Sequence, residues 1–219
     1  MNNSFLSFFY IVDKRLYFFL ICVFSILISL VTNEFILIDE IFHRQYQEQL
    51  DVSQLKSYTQ LRNKWSWVSY VILPFIYLIK IGFTSICLYT GVFLRDLPFS
   101  LKKLFVISLF AETVFLLPFI LKTIWFGIVD VDFSLVEFSN FYPLSLQNFF
   151  INKEIAPWWL YPLQSINVFE LIYFFVLALG ISLVFQHRFV KALLLVITSY
   201  GLGLILLLTS VTFLVINFS

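Results

Sequence analysis

Five long apolar runs are the feature of this 219-residue sequence that most limits its fold. They cover residues 16–38, 65–94, 104–129, 166–185 and 190–218, and each has about the 20 residues that a helix needs to cross a bilayer. Because 61% of the residues are hydrophobic and only 12% are charged, a water-soluble fold would lack the polar side chains to cover its surface. Continuous runs favour helices over barrel strands, which alternate apolar and polar residues. We therefore predict an all-α, single-domain, polytopic transmembrane bundle of five spans.

Two segments of a different character separate these runs. Residues 39–64 are polar, but Phe42, Tyr46 and Leu50 recur at helical spacing, so we predict a helical hairpin that protrudes from the membrane. Residues 130–164 are rich in Phe, Trp, Tyr and Pro and poor in charge. Trp and Tyr settle at membrane interfaces, so this connector lies either at the interface or as a lid over the bundle. The sequence leaves both alternatives open.

The distribution of basic residues predicts the orientation of the spans. Lys and Arg in short loops favour the cytoplasmic side. With a cytoplasmic N-terminus, the inside has Lys14, Arg15, Arg95, Lys102, Lys103, Arg188 and Lys191, and the outside has Arg44, Lys56, Arg62, Lys64 and Lys153. We therefore predict N-terminus in and C-terminus out. Abundant Phe and scarce Gly are typical of low-G+C bacteria, so we expect a bacterial inner (cytoplasmic) membrane.

Two charged residues lie inside predicted spans, and such residues are candidates for function because each is costly to insert. Lys80 is near the middle of the second span and Glu112 is inside the third. Counted from the inner face, they lie at depths of about 22 and 13 Å, a gap that a lysine side chain can partly close. We predict a Lys80–Glu112 pair. It forms either a polar site or proton path, or a structural ion pair that fixes helix register.

A second charged pair is predicted nearer the outer surface. Lys122 lies near the outer end of the third span, and Glu170 lies near the outer end of the fourth. Their similar depth allows them to pair at the outer interface, and the alternative is that each extends separately to water.

Small residues four apart predict close contacts between helices, because they let backbones approach. Three such pairs occur: Ser25 with Ser29, Ala178 with Ser182, and Ser199 with Gly203. The last two pairs lie in neighbouring spans, so we predict a tight contact between spans four and five.

The motifs of common enzyme and metal sites are missing from the sequence. There is no HExxH, GxSxG or Walker loop, and His43 and His187 lack Cys, His or carboxylate partners at metal spacing. Cys22 and Cys87 form no CxxC pair. A net charge of +1 without a basic stripe argues against a nucleic-acid partner. We expect no cofactor, no catalytic residue and no metal site.

The second half of the chain resembles a known family. Leu101-Lys102-Lys103-Leu104-Phe105 enters the third span, and residues 163–173, LQSINVFELIY, lead into a span that contains Gly180. Over residues 65–219 this resembles the bacterial branch of the Yip family, five-helix membrane proteins whose eukaryotic members bind Rab GTPases. The family's Asp-Leu-x-Gly-Pro element is absent, and Asp96-Leu97-Pro98 is only a fragment of it, so GTPase binding is not carried over. The resemblance implies a small polytopic protein of non-catalytic role.

Three functions remain open at this point. The first is a non-catalytic accessory or scaffold protein that binds another membrane protein, as part of a transport or secretion complex. The second is a transport or permeation subunit that uses Lys80 and Glu112. The third is a membrane enzyme that acts on lipid or peptide.

Overall fold

Helices account for almost all of the described chain. The structure is a computed structural model and describes residues 12–36, 41, 52–98, 100–150, 155–186 and 188–218. No strand occurs within these residues, where one isolated β-bridge pairs Ser145 with Asn167. Five helical segments of this part are long and apolar enough to cross a membrane, which confirms the predicted all-α bundle with five spans. The chain is therefore a multi-pass membrane protein.

The five segments are named span one to span five. They are Lys14–Ile36, Thr59–Phe93, Leu101–Val129, Val168–Phe185 and Phe189–Phe218. Each lies close to a predicted apolar run. Spans one, three and five contain short π-helical turns, at Thr32–Ile36, Trp125–Val129 and Ile197–Gly201.

Span two is the C-terminal part of a longer helix, Val52–Phe93. At 1.5 Å per residue this helix is about 63 Å long, twice the thickness of the hydrocarbon layer, so its polar beginning extends beyond the membrane. This agrees with the second half of the predicted hairpin. The stripe of Phe42, Tyr46 and Leu50 lies outside the described residues, as do His43 and His187.

Polar side chains directly before the first helical residue explain where several spans begin. Asp13 accepts a hydrogen bond from the backbone of Arg15 ahead of span one. Ser100 accepts one from Lys103 ahead of span three, and Asn167 accepts one from Glu170 ahead of span four. Each cap occupies a backbone N–H that has no partner within its own helix.

The main core lies between spans two, three, four and five. Leu88, Leu104, Tyr173, Leu177 and Val196 are fully buried there. A smaller cluster attaches span one to spans two and three. This arrangement leaves span one at the edge of the bundle.

Small residues allow the closest helix approaches in this core. A Cβ atom added at Gly180 would lie 2.6 Å from Ile107, so span four packs directly on span three. A Cβ at Gly91 would collide with Ser199, and one at Gly203 would collide with Cys87. The Ser199 and Gly203 pair therefore approaches span two, not span four as its spacing predicted.

The predicted contact between spans four and five forms elsewhere. Ala178 and Ser182 are buried in span four, and the first turns of span five, Phe189–Val196, pack beside this span. Only residues 186–188 separate the two helices, and Gln186 has a left-handed backbone. The short turn, more than the small residues of span five, makes these two spans neighbours.

The aromatic connector between spans three and four packs back on the end of span three. It contains the helices Leu135–Asn140 and Pro157–Ser165 and a 3₁₀ turn, Leu146–Phe150. Phe126 of span three contacts the rings of Phe133, Phe138 and Phe141. A reciprocal capping box of Ser134 and Glu137 begins its first helix. The connector thus has features of a lid, although Trp159 remains exposed as interfacial residues are.

Candidate functional site

The structure brings Lys80 of span two next to Glu112 of span three. The Lys80 Nζ atom lies 3.2 Å from the Glu112 Oε2 atom and 3.0 Å from the centre of the Phe115 ring. Span three changes from an α-helix to a 3₁₀ turn at Glu112–Phe115. Residues three apart in a 3₁₀ turn lie on one face, so this turn presents a carboxylate and an aromatic face to the same ammonium group.

The two partners of this ion pair differ in their burial. Glu112 has no exposed side-chain surface, whereas 35% of the Lys80 side-chain surface remains accessible. The Glu112 Oε2 atom accepts no aligned hydrogen bond from the described residues, so its contact with Lys80 is an ion pair alone. The carboxylate is thus enclosed, and the ammonium borders open space.

The Tyr173 hydroxyl contacts Glu112, and the Thr84 hydroxyl contacts Tyr173 in turn. The Tyr173 hydroxyl of span four lies 3.1 Å from Glu112 Oε1 and 3.1 Å from Thr84 Oγ1 of span two. A phenol has one proton, and hydrogen bonds to a charged acceptor are the stronger ones, so Tyr173 donates to Glu112. Spans two, three and four therefore meet at this carboxylate. We name Lys80, Thr84, Glu112 and Tyr173 the central cluster.

Glu170 and Lys122 do not form the predicted outer pair. Glu170 Oε1 accepts a hydrogen bond of 2.7 Å from the Tyr200 hydroxyl of span five. Lys122 Nζ lies 4.3 Å from the centre of the Phe138 ring in the connector. Similar depth did not predict their partners, because depth does not specify the direction in which a side chain leaves its helix. Each residue is directed toward a different neighbouring element.

Two cavities adjoin the central cluster. The carboxylate cavity, about 450 Å³, lies between spans two, four and five, and Glu170, Asn167, Tyr200 and Gln164 line it. The lysine cavity, about 470 Å³, lies between spans one, two and three, and Lys122, Thr32, Asn33 and Thr123 line it. Lys80, Ile76, Phe115 and Tyr142 border both. Lys80 therefore stands in the wall between the two cavities.

Tyr142 belongs to the connector and lines both cavities. Burial raises the pKa of its hydroxyl well above the ordinary range, and the nearby Glu170 carboxylate raises it further. The phenol therefore keeps its proton at physiological pH and can donate a hydrogen bond into either cavity.

The arrangement can bind and orient a charged solute through ion pairs and hydrogen bonds, but it has few groups for covalent chemistry. No group of three or more His, Cys, Asp and Glu residues at metal-binding spacing occurs in the described part of the chain. With Lys80, Glu112 and Glu170 all ionised, the site carries one excess negative charge. Hydroxyl groups of tyrosines surround it.

The tyrosines are what the sequence reasoning missed. Tyr173 and Tyr200 lie inside apolar runs, where their aromatic bodies look like ordinary packing. A buried hydroxyl in lipid needs a polar partner, so each such tyrosine implied another polar group on a neighbouring span. Tyr173 also follows Glu170 by three residues, a spacing that places both near one helix face.

The function of the chain has to be inferred from its own residues, because comparisons with known proteins give no match. No protein-family model, no curated protein and no solved structure matches the chain.

Proposed function

We propose that the chain is a transport or permeation subunit that admits a small solute to the central cluster. The observation that carries this proposal is the position of Lys80, a charged residue deep in a span that borders two cavities and is paired with an enclosed glutamate. Intramembrane charges mark substrate and ion pathways in many membrane proteins. An ion pair with a purely structural role does not require that its lysine border two cavities.

The carboxylate cavity is the proposed entry for the solute. Its polar lining of Glu170, Asn167 and Gln164 lies at the connector end of span four, and Lys80 lies at its inner wall. A solute with a carboxylate could compete with Glu112 for the lysine, and one with an ammonium group could bind Glu170. Both events would alter the charge balance of the central cluster without breaking a covalent bond.

The proposal includes a location and an orientation. We place the chain in a bacterial inner membrane with its N-terminus in the cytoplasm and its C-terminus outside, on the basis of the basic loops. The connector and the polar end of the carboxylate cavity then face outward. We also propose a distant relationship to the Yip family, based on the residues that enter spans three and four and on the number of spans.

A cysteine-accessibility experiment tests the solute route. Cys22 and Cys87 are first replaced by Ala, and a single cysteine is introduced as Ile76→Cys, beside both cavities. The control is Ile86→Cys, which is 61% exposed on the same helix, compared with 56% for Ile76, but lines neither cavity. The probe is a charged, membrane-impermeant methanethiosulfonate applied to each side of sealed vesicles.

The proposal expects the probe to modify Ile76→Cys from at least one side and to leave Ile86→Cys unmodified. The reason is that thiol modification requires the thiolate, which forms in water and not in lipid. Equal lack of reaction at both positions, in protein that remains monodisperse in detergent, would overturn the solute route and leave a structural ion pair.

A second candidate function is the accessory or scaffold protein of a larger membrane complex. The observation that favours it is the exposed aromatic surface of the connector, where Phe149 is 82% exposed. Exposed aromatic side chains are frequent anchors of protein interfaces. Copurification of one partner at a fixed ratio from native membranes, together with an unreactive Ile76→Cys, would favour this function over transport.

A further inference from the structure

We propose that the lysine cavity binds the phosphate headgroup of one anionic lipid, with Lys122 as its cationic contact. This inference goes beyond the solute route, because it concerns the other cavity and a residue outside the central cluster. It follows from the charge, the depth and the wall composition of the lysine cavity.

Charge is the first argument. Both Lys80 and Lys122 line the lysine cavity, and no Asp or Glu is among its lining residues. Lys80 has Glu112 as its partner, whereas Lys122 is in an ion pair with no carboxylate among the described residues and contacts the face of Phe138. With no carboxylate partner in the part of the chain that the structure describes, Lys122 can bind a ligand anion without first losing an internal partner.

Neighbouring donors fit a phosphate. Tyr142 borders the same cavity and keeps its hydroxyl proton because burial raises its pKa. The Asn33 side-chain amide donates one hydrogen bond of 3.0 Å to the Tyr70 hydroxyl, and its second N–H is left for another acceptor. A cation and two neutral donors match the several acceptor oxygens of a phosphodiester.

Depth is the second argument. Lys122 lies about 10 Å along the helix axis before the end of span three at Val129, at 1.5 Å per residue. The ammonium group of a lysine near a span end reaches toward the headgroup layer. Lys122 is therefore at a level that a lipid phosphate reaches while its acyl chains stay in hydrocarbon.

The walls of the cavity distinguish a lipid from a soluble anion. Beside Ser25, Ser29 and Ser69, the lining includes the apolar side chains of Ile28, Leu73 and Phe119, and Phe119 keeps more than half of its surface exposed. Free phosphate would gain nothing from these apolar side chains, whereas an acyl chain would bury them at about 25 cal/mol per Å². We therefore assign the cavity to a lipid of the surrounding leaflet.

The test compares two lipids with identical acyl chains on the purified, delipidated full-length chain. Phosphatidylglycerol and phosphatidylcholine are titrated separately, and bound lipid is counted by native mass spectrometry. The wild type is expected to bind the first phosphatidylglycerol about fivefold more tightly than phosphatidylcholine, the ratio that one basic residue near a membrane surface supplies. In Lys122→Gln this ratio is expected to fall to about one.

Three variants make the result specific. Lys122→Arg keeps the charge and is expected to keep the preference. Lys103→Gln removes another lysine of span three that also contacts an aromatic ring, Phe185, and is expected to change nothing. Lys191→Gln tests the separate cavity that Arg95 and Lys191 line, and it too is expected to leave the preference intact. Monodisperse elution of each variant checks its folding.

Several outcomes would overturn the proposal. These are an unchanged preference in Lys122→Gln, an equal affinity of the wild type for both lipids, and a loss of preference in Lys191→Gln alone. Displacement of the lipid by millimolar inorganic phosphate would identify a site for the free anion instead. None of these results depends on the reactivity of Ile76→Cys, so failure of this inference is distinguishable from failure of the solute route.

Discussion

At the residue scale, the central cluster is an ion pair whose two charges have unequal surroundings. Glu112 is enclosed by Lys80, Phe115 and Tyr173, whereas Lys80 retains access to two cavities. The enclosed Glu112 carboxylate therefore governs the stability of the pair, whereas the Lys80 ammonium group governs its access to a solute.

Removal of Lys80 is expected to destabilise the bundle. Lys80→Met leaves the enclosed Glu112 without its counter-charge, and breaking a buried pair typically costs about 3–5 kcal/mol. We expect the lower end of this range, because part of Lys80 is already accessible. Replacing both partners, as Lys80→Met with Glu112→Leu, should recover most of the loss, since apolar residues of similar size pack well in such sites.

Detergent-based unfolding of the wild type, the two single variants and the double variant measures this cycle. Lys103→Met serves as the control, because Lys103 begins span three and lies outside the cluster. Independent, additive effects of the two substitutions would show that the ion pair contributes no coupling energy.

Part of this site was predictable from the sequence. Lys80 and Glu112 were identified as partners because intramembrane charges are rare and helical rise gives their depth. Their 3.2 Å contact occurs where span three forms a 3₁₀ turn at Glu112. No sequence pattern predicts this turn. Lys122 and Glu170 were paired wrongly, because the rotation of each helix about its axis depends on packing with the others.

At the element scale, glycines determine how closely span two approaches span five. Gly91 faces Ser199, whereas a Cβ atom at Gly82, on the same helix, meets nothing within 4 Å. The two positions are alike in local conformation and differ in their neighbours. Substitution at Gly82 therefore reports helix propensity alone, whereas substitution at Gly91 also reports packing against Ser199.

Alanine at these two glycines should have opposite effects on stability. Gly82→Ala is expected to stabilise the protein by up to about 1 kcal/mol, the difference in helix propensity. Gly91→Ala is expected to destabilise it by about 1–3 kcal/mol, because the new methyl group collides with Ser199. Thermal unfolding in detergent measures both changes.

A compensating substitution checks the cause. Ser199→Gly removes the side chain that Gly91→Ala would strike, so the double variant should recover most of the stability lost in Gly91→Ala. A double variant as unstable as Gly91→Ala would mean that span two and span five do not meet at these residues.

At the scale of the whole molecule, the five spans were predictable because length and apolarity are local properties of the chain. The packing of the connector was not, since Phe133, Phe138 and Phe141 could face lipid or protein equally well by composition. The structure packs them on Phe126, so the connector closes one end of the bundle.

The proposed orientation places the beginning of span one in the cytoplasm and the end of span five outside, because five crossings are an odd number. We expect alkaline phosphatase fused after residue 219 to be active, and the same enzyme inserted after Leu97, between spans two and three, to be inactive, because it folds only outside the cytoplasm. Green fluorescent protein at the same two positions should give the reverse pattern. Activity of both phosphatase fusions would contradict the proposed orientation.

The unequal enclosure of Lys80 and Glu112 has a consequence for the history of such a site. If a lineage abandons the pair, the glutamate has to disappear first, since the remaining lysine still reaches a cavity. The reverse order passes through an intermediate that holds a stranded carboxylate with no route to water. Substitution at position 80 should therefore be tolerated only in chains that already carry a neutral residue at position 112.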